Sequence, residues 1–228
     1  MKLSRTLGVL LVLLTSLPAA QLSATLLTFN SRISFTQFAP GLPVESFASL
    51  NPGNGNISVC DSPLHDSSCG GSLLPGISYE GTLGTNGIAI TGPGFFHMPN
   101  VVAVFVNLFG GTLTLRLTAP ADAIGFNLFS ISASTIDVSV FDPNGIALGM
   151  FRVPAGVGGD VFFGAINSSS DIGWVALTSE RVSGTPGVTG VAFGNAAVVP
   201  ESPTLLLLLP AFLLSGFKNR AWRFCCRS

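Results

Sequence analysis

Alternation is the feature that most constrains this chain. In Thr135-Ile-Asp-Val-Ser-Val-Phe141 the apolar residues Ile136, Val138 and Val140 fall at every second position. Leu113, Leu115 and Leu117 repeat the pattern in Thr112-Leu-Thr-Leu-Arg-Leu-Thr118. A period of two puts the apolar side chains of each run on one face of a strand and the polar ones on the other. Such half-apolar strands suit antiparallel sheets with one wet face. Asp142-Pro143-Asn144-Gly145 follows the first run. Proline presets φ at the first central position of a turn, and Asn-Gly accepts positive φ, so Ile146–Val153 should pair back onto Thr135–Phe141.

Further candidate strands are Ser31–Phe38, Gly87–Thr91, Val101–Leu108, Ala123–Leu128, Ala147–Val153, Val161–Ile166, Ile172–Thr178 and Gly190–Phe193. No window of about 15 residues between Thr25 and Ala197 sustains a helical period free of Gly or Pro. Strands at a spacing of about 8–12 residues with turn signals between them predict an all-β sandwich or barrel. Asn51–Pro75 reads as a Gly/Pro/Ser-rich loop, Val182–Val188 as a Gly/Pro loop and Ala196–Pro203 as a linker.

Charge separates the middle of the chain from its ends. Charged residues make up only 9% of the chain, against about 25% in a soluble domain. Six of the ten basic residues are Lys2, Arg5, Lys218, Arg220, Arg223 and Arg227. The middle, Thr25 to Pro200, keeps four Arg, no Lys and ten acids, a net charge near −6. An acidic domain without lysine is a poor phosphate binder, which argues against nucleic acid as a partner.

Both ends read as export signals. Met1-Lys-Leu-Ser-Arg5 precedes an apolar run, Thr6–Leu14, of about nine residues, the length of a signal peptide rather than of a spanning helix. Cleavage after Ala24 places Leu22 and Ala24 at the specificity positions; an uncleaved anchor is the alternative. The C-terminus carries Val199-Pro200-Glu201, then the apolar stretch Leu205–Phe217, then the cations Lys218, Arg220, Arg223 and Arg227. Basic residues directly after an apolar helix stay on the cytoplasmic side, so the preceding domain would face outward. The domains expected are a signal peptide (1–24), a β-domain (25–197) and a membrane tail (198–228).

This tripartite tail resembles the PEP-CTERM sorting signal of bacterial envelope proteins. In the family the motif is Pro-Glu-Pro; here Ser202 stands between Glu201 and Pro203. The resemblance implies an exosortase-type processing enzyme as partner and at least transient residence in the membrane as a single transmembrane helix. A permanent anchor is the alternative. Ala123-Ile-Gly-Phe-Asn127, Phe162-Phe-Gly-Ala-Ile166, Ile172-Gly-Trp-Val-Ala-Leu177 and Gly190-Val-Ala-Phe-Gly194 are similar to the last half of sandwich modules that carry such tails. That similarity implies an antiparallel, jelly-roll-like β-sandwich related to carbohydrate-binding domains.

Little in the sequence favours catalysis. It contains no Gly-x-Ser-x-Gly and no His-Glu-x-x-His, and only His65 and His97 could serve as imidazole bases. Cys60 and Cys69 lie close in sequence, and an exported chain meets an oxidising compartment, so a disulfide is expected, contributing about 2–3 kcal/mol. A metal site in which the two cysteines join His65 and Asp61 or Asp66 is the rival, short of a clear fourth ligand. No cofactor is expected; calcium is the ion that Asp137, Asp142, Asp160 or Asp171 could take, with plain solvated turn acids as the alternative. Trp174 and Tyr79 could stack on sugar rings, although Ile172, Val175 and Leu177 around Trp174 point to core packing. The leading expectation is a non-catalytic exported surface or matrix protein. The alternatives are a carbohydrate-binding module for exopolysaccharide and a polysaccharide hydrolase built from scattered acids.

Overall fold

The computed structural model describes residues 26–65, 68–81, 87–95, 102–106, 111–132, 134–155, 161–168, 172–180 and 184–196. In chain order the elements are β1 (Leu26–Phe29), α1 (Arg32–Phe38), β2 (Val44–Glu45), β3 (Ile57–Asp61), β4 (Ile77–Gly81) and β5 (Gly87–Thr91). Then come β6 (Ala103–Val106), β7 (Thr112–Ala121), β8 (Ala123–Ser130) and β9 (Ser134–Phe141). β10 (Ala147–Ala155), β11 (Val161–Asn167), β12 (Ile172–Ser179) and β13 (Pro186–Gly194) complete the set. One sheet has the order β1-β11-β8-β13-β6-β5-β3, with β2 also paired to β13; the other runs β10-β9-β12-β7-β4. The strand pairs of both sheets are antiparallel. The signal peptide, the sorting motif Val199, Pro200, Glu201, the apolar tail and its basic residues lie outside the described residues. Among the described residues no helix is long and apolar enough to cross a membrane.

Two sheets facing each other make a sandwich, and the period-two pattern supplies its filling. Leu113, Leu115, Ile136, Val138, Val140, Val175 and Leu177 from the smaller sheet are fully buried in one cluster with Ile124, Phe126, Leu128, Ile88, Ile90 and Val188 from the larger. The hairpin forms as its residues dictate. Asp142 Oδ1 accepts from the amides of Asn144 and Ile146, its carbonyl accepts from Gly145, and β10 returns along β9.

The structure corrects the sequence reading in four places. Ser31–Phe38 is not a strand: Arg32–Phe38 is helical. Ile33 and Phe35 imitate alternation, but only Phe35 of this segment is buried. Its ring lies over Gly125 and Gly164, where a Cβ would come within 2.9 and 2.7 Å of it. Those two glycines make the hollow that seats α1, so tertiary packing overrides a weak local signal. Ala39-Pro40 then ends the helix, since the residue before proline is pushed out of the helical region.

Second, Asn51–Pro75 is not wholly loop. It holds β3 and a 3-10 turn at Ser68–Gly70, and Leu64 bridges to Tyr79 through two backbone hydrogen bonds. Third, Pro186–Val188, read as loop, belongs to β13. Fourth, β1, β2 and β4 were not legible as strands. β1 is an edge strand whose pairing runs Leu26 opposite Asn167 to Phe29 opposite Gly164. Of the predicted strand Val101–Leu108, Ala103–Val106 is strand; Val101, Asn107 and Leu108 lie outside the described residues.

Candidate functional site

The outer face of the five-stranded sheet is built in rows by the strand register. Ser78, Arg116, Trp174, Phe141 and Ala147 are successive cross-strand partners on β4, β7, β12, β9 and β10. The next row on the same face is Glu80, Thr114, Ala176, Ser139 and Met150. Thr112, Thr178, Asp137 and Arg152 make a third. Two rows are therefore dominated by hydroxyls and charges, and one carries large aromatic rings.

In the aromatic row Phe141 and Trp174 are stacked, with ring centroids 3.7 Å apart and planes within 10°. The Arg116 guanidinium carbon lies 5.6 Å from the Trp174 ring, on the strand opposite to Phe141. Arg116 is held in turn by Glu80, Nε to Oε1, at 3.0 Å. The stack thus continues across three strands, cation to indole to phenyl, and ends at Ala147, which offers only a methyl group. Aromatic and cation–π contacts of this kind contribute about 0.5–1.5 kcal/mol each. Hydroxyls and ion pairs surround the stack. The Thr112 and Thr178 hydroxyls are 2.9 Å apart, and Arg152 pairs with both Asp137 and Glu180.

Sequence reasoning placed Trp174 in the core, and this is corrected. A register shift between Ile172 and Trp174 lets Ile172 and Val175 both point inward while Trp174 points outward. The parity of Trp174 with Ala176, against Val175 and Leu177, is the signal that identifies the outward face. Arg116 and Phe141 had no sequence signal as partners until the register joined them. Tyr79 is corrected in the other direction. It is fully buried on the inner face, edge-on to Phe47 with centroids 5.2 Å apart, and is closed to any sugar. Its hydroxyl finds no hydrogen-bond partner among the described residues. Burial, with the Glu45 carboxylate adding to it, pushes the Tyr79 phenol well above its usual value of 10.0.

Cys60 and Cys69 are joined, with Cα atoms 5.5 Å apart. They line an open groove of about 530 Å³ together with Asp61 and the exposed His65. Of the calcium candidates, Asp137 faces Arg152 and Asp142 is bound to turn amides; Asp160 and Asp171 lie outside the described residues, as do Asp66 and His97. No group of three metal-ligating side chains occurs among the described residues.

A second groove, of about 560 Å³, opens on the outer face of the larger sheet. Arg32 Nη2 donates there to Asn127 Oδ1 at 2.9 Å and to the Gly190 carbonyl at 2.6 Å, and the guanidinium lies over the Phe162 ring. Gly190, at φ +56°, sits in a bulge of β13 that turns this carbonyl out of the ladder, and a Cβ at Gly190 would meet Arg32 at 2.9 Å. A third groove, of about 500 Å³, lies where β10 and the edge strand β1 approach, lined by Phe29, Phe151, Phe162 and Phe163 with Arg152 and Asn30. Among the described residues Asp61 is the sole acid lining these three grooves.

No family model matches the chain, and no curated protein matches it. Solved structures similar to it include CsCBM6-3 from Clostridium stercorarium in complex with cellobiose, at 21% identity over 50% of this chain and 86% of that one, with a TM-score of 0.31. Another is CBM29_1, a family 29 carbohydrate binding module from Piromyces equi, at 12% identity, covering 66% and 97% of the two chains, with a TM-score of 0.34. A β-1,3-glucan binding CBM6 from Bacillus halodurans is 19% identical over 52% and 86%, with a TM-score of 0.28.

Proposed function

We propose that this chain is an exported, non-catalytic envelope protein whose five-stranded sheet offers its outer face to glycan chains of the surrounding matrix. One observation carries the reading: two large aromatic rings, Trp174 and Phe141, stand on the wet face of a sheet, bracketed by Arg116 and rows of hydroxyls and paired charges. Arg116 and Phe141 cover the faces of Trp174, so a sugar would set its C–H groups against the outward ring edges and Phe141 while its hydroxyls exchange hydrogen bonds at the rim. A cross-strand stack that only steadies the sheet is the competing account.

On this reading the N-terminal segment directs export. The motif Val199, Pro200, Glu201 then meets an exosortase-type enzyme while Lys218, Arg220, Arg223 and Arg227 hold the tail in place. Fractionation of cells and mass spectrometry of the mature chain read both termini. The binding claim is tested by presenting the purified chain to a glycan array that includes exopolysaccharides. Trp174→Ala should weaken any captured glycan at least tenfold, about 1.4 kcal/mol, with the amide I infrared band of the sheets unchanged. Equal binding by Trp174→Ala would reject this face. Shortening of the polysaccharide during incubation would indicate the hydrolase reading instead.

A further inference from the structure

We propose that the α1-covered side of the sandwich lies against the lipid surface of the membrane that holds the tail, leaving the five-stranded sheet turned away from it. This rests on the anchored-tail reading above. Four of the seven most exposed large apolar side chains among the described residues fall within one short segment: Leu27 (47%), Ile33 (73%), Phe38 (54%) and Val44 (51%). β1, α1 and β2 carry them around the outer face of the larger sheet. Phe38 packs beside Phe29, which in turn meets the buried Phe35, so the exposed groups rim a continuous apolar cluster.

The chain leaves the sandwich at the same place. Ala196 packs against the cluster that contains Phe35 and Leu42, and its amide donates to Asp122. Only eight residues, Ala197 to Thr204, separate it from the leucine run that begins at Leu205. Fully extended they reach at most about 30 Å. A tether of this length keeps the exit side of the domain near the bilayer.

Charge favours the same orientation. From Leu26 to Cys60 the charged residues are Arg32 and Glu45. Glu45 is buried and accepts from the amides of Phe47 and Leu74. This segment therefore brings one cation and no exposed acid to the headgroups, and Asp122 at the exit is taken up by the Ala196 amide; the opposite sheet carries the exposed ion pairs of Glu80 with Arg116 and of Asp137 and Glu180 with Arg152. Apolar side chains in an acid-poor surface seat at the headgroup boundary, where burial of apolar area holds them.

The test uses the full chain in vesicles of phosphatidylethanolamine and phosphatidylglycerol, with Cys225→Ser and Cys226→Ser to clear the tail. Ile33→Cys, Phe38→Cys, Ile146→Cys and Met150→Cys are each labelled with an environment-sensitive fluorophore. Nitroxide-bearing phospholipid should quench positions 33 and 38 about threefold more than positions 146 and 150, which belong to the β9–β10 hairpin of the five-stranded sheet. Equal quenching at all four positions, in chain that carbonate does not extract, overturns the orientation alone. A blue shift at 33 and 38 without nitroxide quenching means that protein covers the patch, such as a second copy, and also overturns it. Extraction of the chain by carbonate overturns the anchored tail, and the orientation with it.

Discussion

The two outer faces of this sandwich solve the same problem in opposite ways. The larger sheet hides part of its outer surface under α1, whose Phe35 fills the hollow above Gly125 and Gly164 and joins Phe162, Ala123 and Ala192 in a cluster of its own. The smaller sheet is left bare and made wettable by alternating Thr, Ser, Arg and Asp, with a single aromatic row. The first is held by burial, the second by contacts that water screens. The difference teaches that one fold can carry a closed side and an open side without a second domain.

That contrast sets the sizes of the expected effects. Phe35→Ala should cost about 3–5 kcal/mol, because it empties a fully enclosed ring site. Chemical denaturation would read it, and a loss no larger than that of a surface substitution would mean that α1 does not seal its face. Between the sheets, Tyr79→Phe should raise stability by about 1–3 kcal/mol, since it removes a buried hydroxyl without a partner among the described residues.

Alkaline titration checks the same group. Tyr79 is the sole tyrosine of the chain, so phenolate absorbance reports it alone. Its folded pKa is raised, so above pH 10 the unfolded chain binds fewer protons than the native one. Stability should therefore fall with rising pH there, by about 1.4 kcal/mol per unit at most, and Tyr79→Phe should abolish the fall. Phenolate absorbance appearing near pH 10 in folded protein would contradict the burial. The smallest effect belongs to the open face. Arg152→Ala should cost below about 1 kcal/mol and less at high salt, as for exposed ion pairs to Asp137 and Glu180. A large, salt-independent loss would show that this face is not the solvated one.

The open face was partly legible in advance and the closed one hardly at all. Alternation located β7, β9 and β12, and Asp142-Pro143-Asn144-Gly145 located the β9–β10 hairpin, because period and turn chemistry are local properties. The helix was missed because its seven residues hold one inward ring, and what recommends a helix there is a pair of glycines some 90 and 130 residues later. Trp174 was visible as a residue but assigned to the wrong side, since a bulge beside Ile172 broke the parity of β12. Its partners Arg116 and Phe141 needed the register of three strands. The disulfide was legible because the expected export to an oxidising compartment and the short spacing both spoke for it.

β1 carries a consequence for the order of events during synthesis. It is the earliest of the described strands to leave the ribosome, yet the strand it zips against, β11, lies about 140 residues downstream. The larger sheet therefore cannot close its margin until most of the polypeptide has been made. A growing chain waits with one loose end, and the finished sandwich registers that translation has run almost to completion.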